Sequence, residues 1–294
     1  MTKKRFALYA GIVLATLLTP GFAQDSLATI KVNVRLVEVY ATVLDHKGTF
    51  IDGLKPDDFQ ILEDGQLQRI SNFESNTDAL SCAILLDTTG SMREALPRVK
   101  NSVVKLIDEL ESSDSVAIYT FDEQLSVRQD FTTDKDAAKR AVLHTRAQGN
   151  TALFDALAEA SEELAKRRGK KALIVFTDGD DNSSLLTASG AIAHAKKMGI
   201  PLYAIAEGEA SHSAELGKVL NELSEKTGGA SYRVKKADDF AEVFQAIANN
   251  LRHLYLMSYK PPGDRVDGRW RKIDIQVRGV QNYRLRAKQG YFPE

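Results

Sequence analysis

The chain is poor in cysteine, and its one cysteine, Cys82, excludes an intramolecular disulfide. Cys82 opens the apolar run Cys82-Ala83-Ile84-Leu85-Leu86, where a small buried core residue fits. The five histidines, His46, His144, His194, His212 and His253, are scattered, and none pairs with another at metal-ligand spacing. A Cys/His metal cluster is thereby excluded. An excess of charge of one sign is also lacking. The formal net charge is −1, and Lys and Arg are spread along the chain, so bulk charge gives no case for nucleic-acid binding. Beyond the first 23 residues no segment is apolar enough to span a membrane. No internal repeat, low-complexity tract or Gly-rich phosphate loop with a Lys is visible.

What is present is ordinary for a soluble globular protein: 43% hydrophobic and 27% charged residues over 294 positions. The start reads differently. Lys3, Lys4 and Arg5 precede an apolar run from Phe6 to Leu18, and Gly21 and Ala23 supply small residues before Gln24. This predicts a signal peptide over 1–23, cleaved before Gln24, and an exported chain, periplasmic or secreted. The run is short against the ~20 apolar residues of a membrane span. No lipid-anchoring cysteine follows it.

Three regions follow. Residues 24–79 are strand-like, with alternating Val32, Val34, Leu36, Val37, Val39 and Val43, turn signals at Asp52-Gly53 and Glu63-Asp64-Gly65, and a helical turn expected at Lys55–Phe59. Residues 80–250 alternate strands with helices, which implies a mostly parallel sheet with helices on both faces. Gly199 is a good stop for the helix Ala188–Met198. Residues 251–294 return to strands, with candidates at His253–Tyr259, Trp270–Val277 and Tyr283–Ala287. Each end carries too few strands to bury a core alone, so the two ends are expected to pack into one small β-sandwich. The alternative is that each end merely extends or covers the central sheet.

The informative segment is Asp87-Thr88-Thr89-Gly90-Ser91, directly after a buried strand. It sets three oxygen-bearing side chains at alternate positions. Asp178 ends the strand Leu173–Thr177, and Thr151 lies at the mouth of a helix. Loops at the carboxyl ends of parallel strands line one crevice, so Asp87, Thr89, Ser91, Thr151 and Asp178 are expected to converge. Carboxylates and hydroxyls are hard ligands that suit Mg²⁺, Mn²⁺ or Ca²⁺.

At these residues the chain resembles the metal-ion-dependent adhesion site of von Willebrand factor A domains. Asp87 and Ser91 match its first loop, with Thr89 in place of a serine. Gly149-Asn150-Thr151 resembles its Thr loop, and Phe176-Thr177-Asp178-Gly179 its second Asp loop. The stretch Val39–Phe73 and the ending Arg271-Lys272-Ile273 to Lys288-Gln289-Gly290-Tyr291 are similar to a bacterial, acidobacterial-type family of von Willebrand factor A-related proteins. The resemblance implies a Rossmann-like α/β domain with a divalent cation, Mg²⁺ first. In that family the two Asp side chains often act through water. The ion would then be incompletely neutralised and would attract a carboxylate from a protein partner.

Other polar residues carry weaker expectations. Asp155, one helical turn after Thr151, either orients a ligand from behind or answers the helix dipole. Asp180 and Asp181 are expected to be solvated or to cap Asn182–Ser184, with a ligand role less favoured. Trp270 is expected in the core, and Lys196-Lys197 and Lys235-Lys236 at helix ends or in solvent. Catalysis is not expected. An Asp nucleophile of the phosphatase kind needs a second acid two residues on, where Thr89 stands, and Gly90-Ser91-Met92 lacks the glycines of a hydrolase elbow. Two functions remain: a metal-dependent binding or adhesion module, and a structural component of an envelope assembly with metal-independent contacts.

Overall fold

The computed structural model describes residues 36–75, 78–207, 212–234, 239–263 and 267–293. The expected signal peptide and Lys235-Lys236 lie outside them. In chain order the elements are β1 (Val37–Leu44), β2 (Phe59–Glu63), β3 (Gln66–Gln68), β4 (Ile70–Glu74) and β5 (Leu80–Asp87), then α1 (Leu96–Asp108). They continue with β6 (Ser115–Phe121), β7 (Leu125–Thr132), α2 (Lys135–Leu143), α3 (Leu153–Ala165), β8 (Lys170–Thr177), α4 (Ala188–Met198) and β9 (Leu202–Glu207). The last are α5 (Ala214–Thr227), β10 (Ala230–Val234), α6 (Asp239–Arg252), β11 (Tyr255–Tyr259), β12 (Arg271–Val277), β13 (Arg284–Ala287) and β14 (Gly290–Tyr291). A 3-10 turn at Pro56–Asp58 falls where a helical turn was expected.

Six strands form the central sheet in the order β10-β9-β8-β5-β6-β7. All neighbours are parallel except β7, which returns antiparallel to β6. Strands β5 and β8 are buried along their whole length, as strands covered on both faces must be. Alternation sorts their side chains between two cores. Cys82, Ile84, Leu86 and Phe176 face Val99 and Val103 of α1, Val142 of α2 and Phe244 of α6. Ala83, Leu85 and Val175 face Leu157 of α3, Ala195 of α4 and Leu220 of α5. Helix α4 ends at Gly199, whose φ of 61° is the left-handed conformation that only glycine adopts without steric cost.

The two ends of the chain do share a core. One antiparallel sheet runs β13-β1-β11-β4 and a second runs β14-β12-β2-β3, so each contains strands from both ends. Val39 and Val43 of β1, Ile61 of β2, Met257 of β11 and Ile273 of β12 pack in one cluster between them. A polar stitch crosses it. The Glu63 carboxylate, buried at the end of β2, accepts from Tyr259 at 2.6 Å and from Tyr291 at 2.9 Å.

Two expectations need adjustment. Trp270 is half-buried; its ring meets Phe292 edge-on at 5.0 Å and carries Lys196 at 4.5 Å from its centroid. Lys196 is thus a contact between α4 and the carboxyl-terminal segment, beyond its place in the last turn of the helix. No helix among the described residues is long and apolar enough to cross a membrane.

Candidate metal centre

The carboxyl ends of β5 and β8 lie side by side, with Leu86 opposite Phe176. Asp87 is therefore delivered next to the Thr177–Gly179 turn by sheet register alone. Its carboxylate is completely buried. Oδ1 accepts from the Thr89 backbone N–H at 2.9 Å, and Oδ2 accepts from the Thr177 hydroxyl at 2.8 Å. The Thr89 and Ser91 hydroxyls lie 3.0 Å apart, and the Ser91 hydroxyl donates to Asp178 Oδ1 at 2.8 Å. Thus Asp87, Thr89, Ser91 and Asp178 form one linked group across two loops. Ser91 is its exposed member; Asp178 is 6% exposed.

Thr151 reaches the same edge by backbone docking. Gly90 N–H donates to Gly149 O at 3.1 Å, and Gln148 N–H to Thr88 O at 2.6 Å. Thr151 O accepts from the N–H groups of Asn182 at 2.9 Å and Ser183 at 3.0 Å, and Thr151 N–H donates to Asn182 Oδ1 at 3.0 Å. The Thr151 loop is clasped between the loops after β5 and β8, with Thr151 4% exposed. Gly149 allows this approach. Its φ is 80°, and a Cβ there would stand 3.0 Å from Cβ of Asp122.

The remaining acids have other partners. Asp155 accepts from the backbone N–H groups of Leu185 at 2.7 Å and Leu186 at 2.9 Å, which holds the loop following Asp178. Asp180 Oδ1 accepts from Ser213 at 3.1 Å, at the start of α5. Asp181 accepts from Ser184 N–H at 3.2 Å and also from Phe154 N–H at 3.0 Å in the first turn of α3. The expected cap at Ser184 is present, and the tie to α3 is additional.

Electrostatics make ionisation of the two buried carboxyls costly. Burial raises the Asp87 carboxyl above its ordinary range, against the hydrogen bonds from Thr89 and Thr177. Burial pushes Asp178 up to about 6; the Ser91 hydrogen bond opposes this, and the charges of Asp87 and Glu207 add to it. Among the described residues no Lys or Arg forms an ion pair with Asp87 or Asp178. Nor is there a group of three or more His, Cys, Asp or Glu side chains arranged to hold a metal. The candidate set has two carboxylates, and three hydroxyls make up the rest. Such hard oxygens fit Mg²⁺, Mn²⁺ or Ca²⁺.

Two supporting residues were not singled out in the sequence. Thr177 appears there as the last residue of a strand and a member of the second Asp loop, with no role of its own, yet it holds Asp87. Asn182 lies in an acidic loop, yet it fixes Thr151. Their cue would have been cross-strand register, which residue spacing does not carry.

Comparison with known proteins agrees with this architecture. The chain is 29% identical over 107 residues to the uncharacterized protein sll0103 of Synechocystis sp., a match covering 35% of this chain and 26% of that relative. It therefore spans about a quarter of the curated relative's length. The von Willebrand factor type A protein of Catenulispora acidiphila superposes with a TM-score of 0.52 at 14% identity, over 90% of this chain and 76% of the other. The vWF domain of the type V pili tip protein Mfa5 of Porphyromonas gingivalis gives 0.50 at 12% identity, over 59% of this chain and 95% of the other. A mutant of the PilB minor pilin of Streptococcus sanguinis gives 0.51 at 14% identity, over 59% of this chain and 61% of the other. At these identities the likeness is one of fold. The model of the von Willebrand factor type A domain matches residues 82–248, more than half of the chain, and the chain belongs to that family.

Proposed function

We propose that this chain is an exported, metal-ion-dependent protein-binding or adhesion module. Asp87, Thr89, Ser91, Thr151 and Asp178 hold one divalent cation, Mg²⁺ first, with Mn²⁺ or Ca²⁺ as other candidates. A bound ion supplies positive charge and an open position for a carboxylate oxygen of a partner protein. Asp87 and Asp178 supply the charge that retains it, and the three hydroxyls complete the oxygen set. Asp155 acts at one remove by fixing the backbone of the loop after Asp178, and Asp180 through Ser213. The role is binding, without catalysis.

The observation that carries this reading is the link from Thr89 through Ser91 to Asp178, with buried Asp87 beside it. Two buried carboxylates on neighbouring strand ends, with no paired Lys or Arg among the described residues, favour a cation beside their ionised forms. The fold also occurs in a pilus tip protein and a minor pilin, which accords with a surface role. The test is a pull-down from envelope extract with the full chain, in Mg²⁺ and in chelator. The reading expects a partner that chelation releases. A partner retained equally in both would instead assign the scaffold role, with metal-independent contacts.

A further inference from the structure

Beside the five proposed ligands stands a further carboxylate. Strands β8 and β9 run parallel, and Thr177 lies opposite Ala206. The next residues, Glu207 as the last of β9 and Asp178 as the first beyond β8, therefore stand side by side at the carboxyl edge of the sheet. Alternation puts both on the face of Phe176 and Ile205, which is the side of α1. Ser91 and Arg98 both approach from that side. Ser91 donates to Asp178, while Arg98 gives Nε at 3.1 Å and Nη2 at 2.7 Å to a single oxygen of Glu207, Oε1. Glu207 is 6% exposed. Its other oxygen, Oε2, is buried and has no hydrogen-bond partner among the described residues.

A guanidinium usually spans both oxygens of a carboxylate. Here it occupies one and leaves the other aside. A buried acceptor with no donor bears its full desolvation cost, so such an oxygen in a native fold asks for an explanation. The charge of Glu207 also reaches Asp178, which places the group in the field of the candidate site. A hydrated divalent ion matches what is missing. Its waters are polarised donors, and its charge offsets neighbouring carboxylates.

Resting on the cation reading above, we propose that Glu207 is a sixth residue of the site. Its Oε2 accepts a hydrogen bond from a water held by the ion, and Arg98 on Oε1 balances its charge. Three carboxylates, one guanidinium and a divalent ion then sum to zero. Arg98 sets the exchange between holding the ion and attracting the partner.

The pair separates this role from a structural latch, because its two members affect the ion in opposite directions. Mg²⁺ is titrated calorimetrically into the full chain as wild type, Glu207→Gln and Arg98→Met, with metal-free melting curves as the check on folding. Glu207→Gln weakens Mg²⁺ binding about tenfold. Arg98→Met leaves Glu207 charged and unbalanced, and tightens Mg²⁺ binding about threefold. If Glu207→Gln alone does not fold, the double variant is read against Arg98→Met and must bind Mg²⁺ about tenfold more weakly. Unchanged affinity in Glu207→Gln, or equal weakening in both single variants, overturns the proposal. A wild-type chain that binds no Mg²⁺ overturns the cation reading itself.

Discussion

The hydroxyl of Ser91 donates to Asp178 at 2.8 Å, joining loops that lie 87 residues apart in sequence. This contact closes the candidate site, because it ties the loop after β5 to the loop after β8. Ser91 is also its exposed member. Ser91→Ala removes one oxygen donor and frees Asp178 from the tie. Mg²⁺ affinity should fall about tenfold or more, with the metal-free fold intact. Calorimetric titration beside a circular-dichroism spectrum checks this, and an unchanged affinity removes Ser91 from the site.

Asp87 gives a prediction in which function and stability move apart. Burial raises its carboxyl, so the ionised form costs the folded chain stability at neutral pH. The cost is absent below the ordinary carboxylate range and complete above the folded-state value. Asp87→Asn removes the charge while an amide can still serve Thr89 and Thr177. The metal-free variant should therefore melt higher than the metal-free wild type at pH 7.5. Addition of Mg²⁺ should raise the melting temperature of the wild type and leave the variant unmoved. A variant stabilised by Mg²⁺ as much as the wild type contradicts the assignment.

The order of strands and helices was legible in the sequence because buried parallel strands such as Ala172–Phe176 are continuous apolar runs. The five candidate ligands were legible because Asp87, Thr89 and Ser91 alternate in one loop, with Thr151 and Asp178 in matching element contexts. The residues that support them were not. Thr177, Asn182, Arg98 and Glu207 act through contacts that depend on which strand ends adjoin. The antiparallel return of β7 and its two register shifts against β6 depend on strand pairing, which the alternation of strands and helices does not announce. The seat of Lys196 on Trp270 joins distant segments, and nothing local announces it.

Asp178 sets the pH dependence. Its carboxyl is pushed up to about 6, so a proton competes with the ion below that value. Mg²⁺ affinity should be level above pH 7 and fall by about tenfold per pH unit below pH 6. The sign for metal-free stability is the reverse. A raised carboxyl value means stability declines as pH rises towards 6 and levels off above it. Titrations at several pH values between 5 and 8 read both effects. An affinity constant down to pH 5 would show that no proton on Asp178 competes.

The sandwich has its own test. Tyr259 from one sheet and Tyr291 from the other both donate to Glu63. Tyr259→Phe removes one of two donors to a buried carboxylate, which should cost about 2 kcal/mol. Denaturant unfolding at equal m-value measures it. A loss well under 1 kcal/mol would mean that Glu63 finds another donor.

Because β1 pairs with β11 and β13, and β2 with β12, the amino-terminal strands depend on the far end of the chain. We expect the sandwich to behave as a folding unit distinct from residues 80–250. Truncation after Asn250 should strip amide-exchange protection from Val37–Leu44 and Phe59–Glu63 while β5 and β8 keep theirs. Undiminished protection over β1 and β2 would show that these strands hold without the carboxyl-terminal segment.

The central claim is that one divalent ion sits among Asp87, Thr89, Ser91, Thr151 and Asp178. Mn²⁺ makes it countable, since the free aqueous ion has an electron paramagnetic resonance signal that binding broadens away. Titrating Mn²⁺ into the full chain at pH 7.5 should show one saturable site per chain, competed by Mg²⁺ and lost in Asp87→Asn. A free-ion signal that rises from the first addition, or one bound ion persisting in Asp87→Asn, would contradict the account.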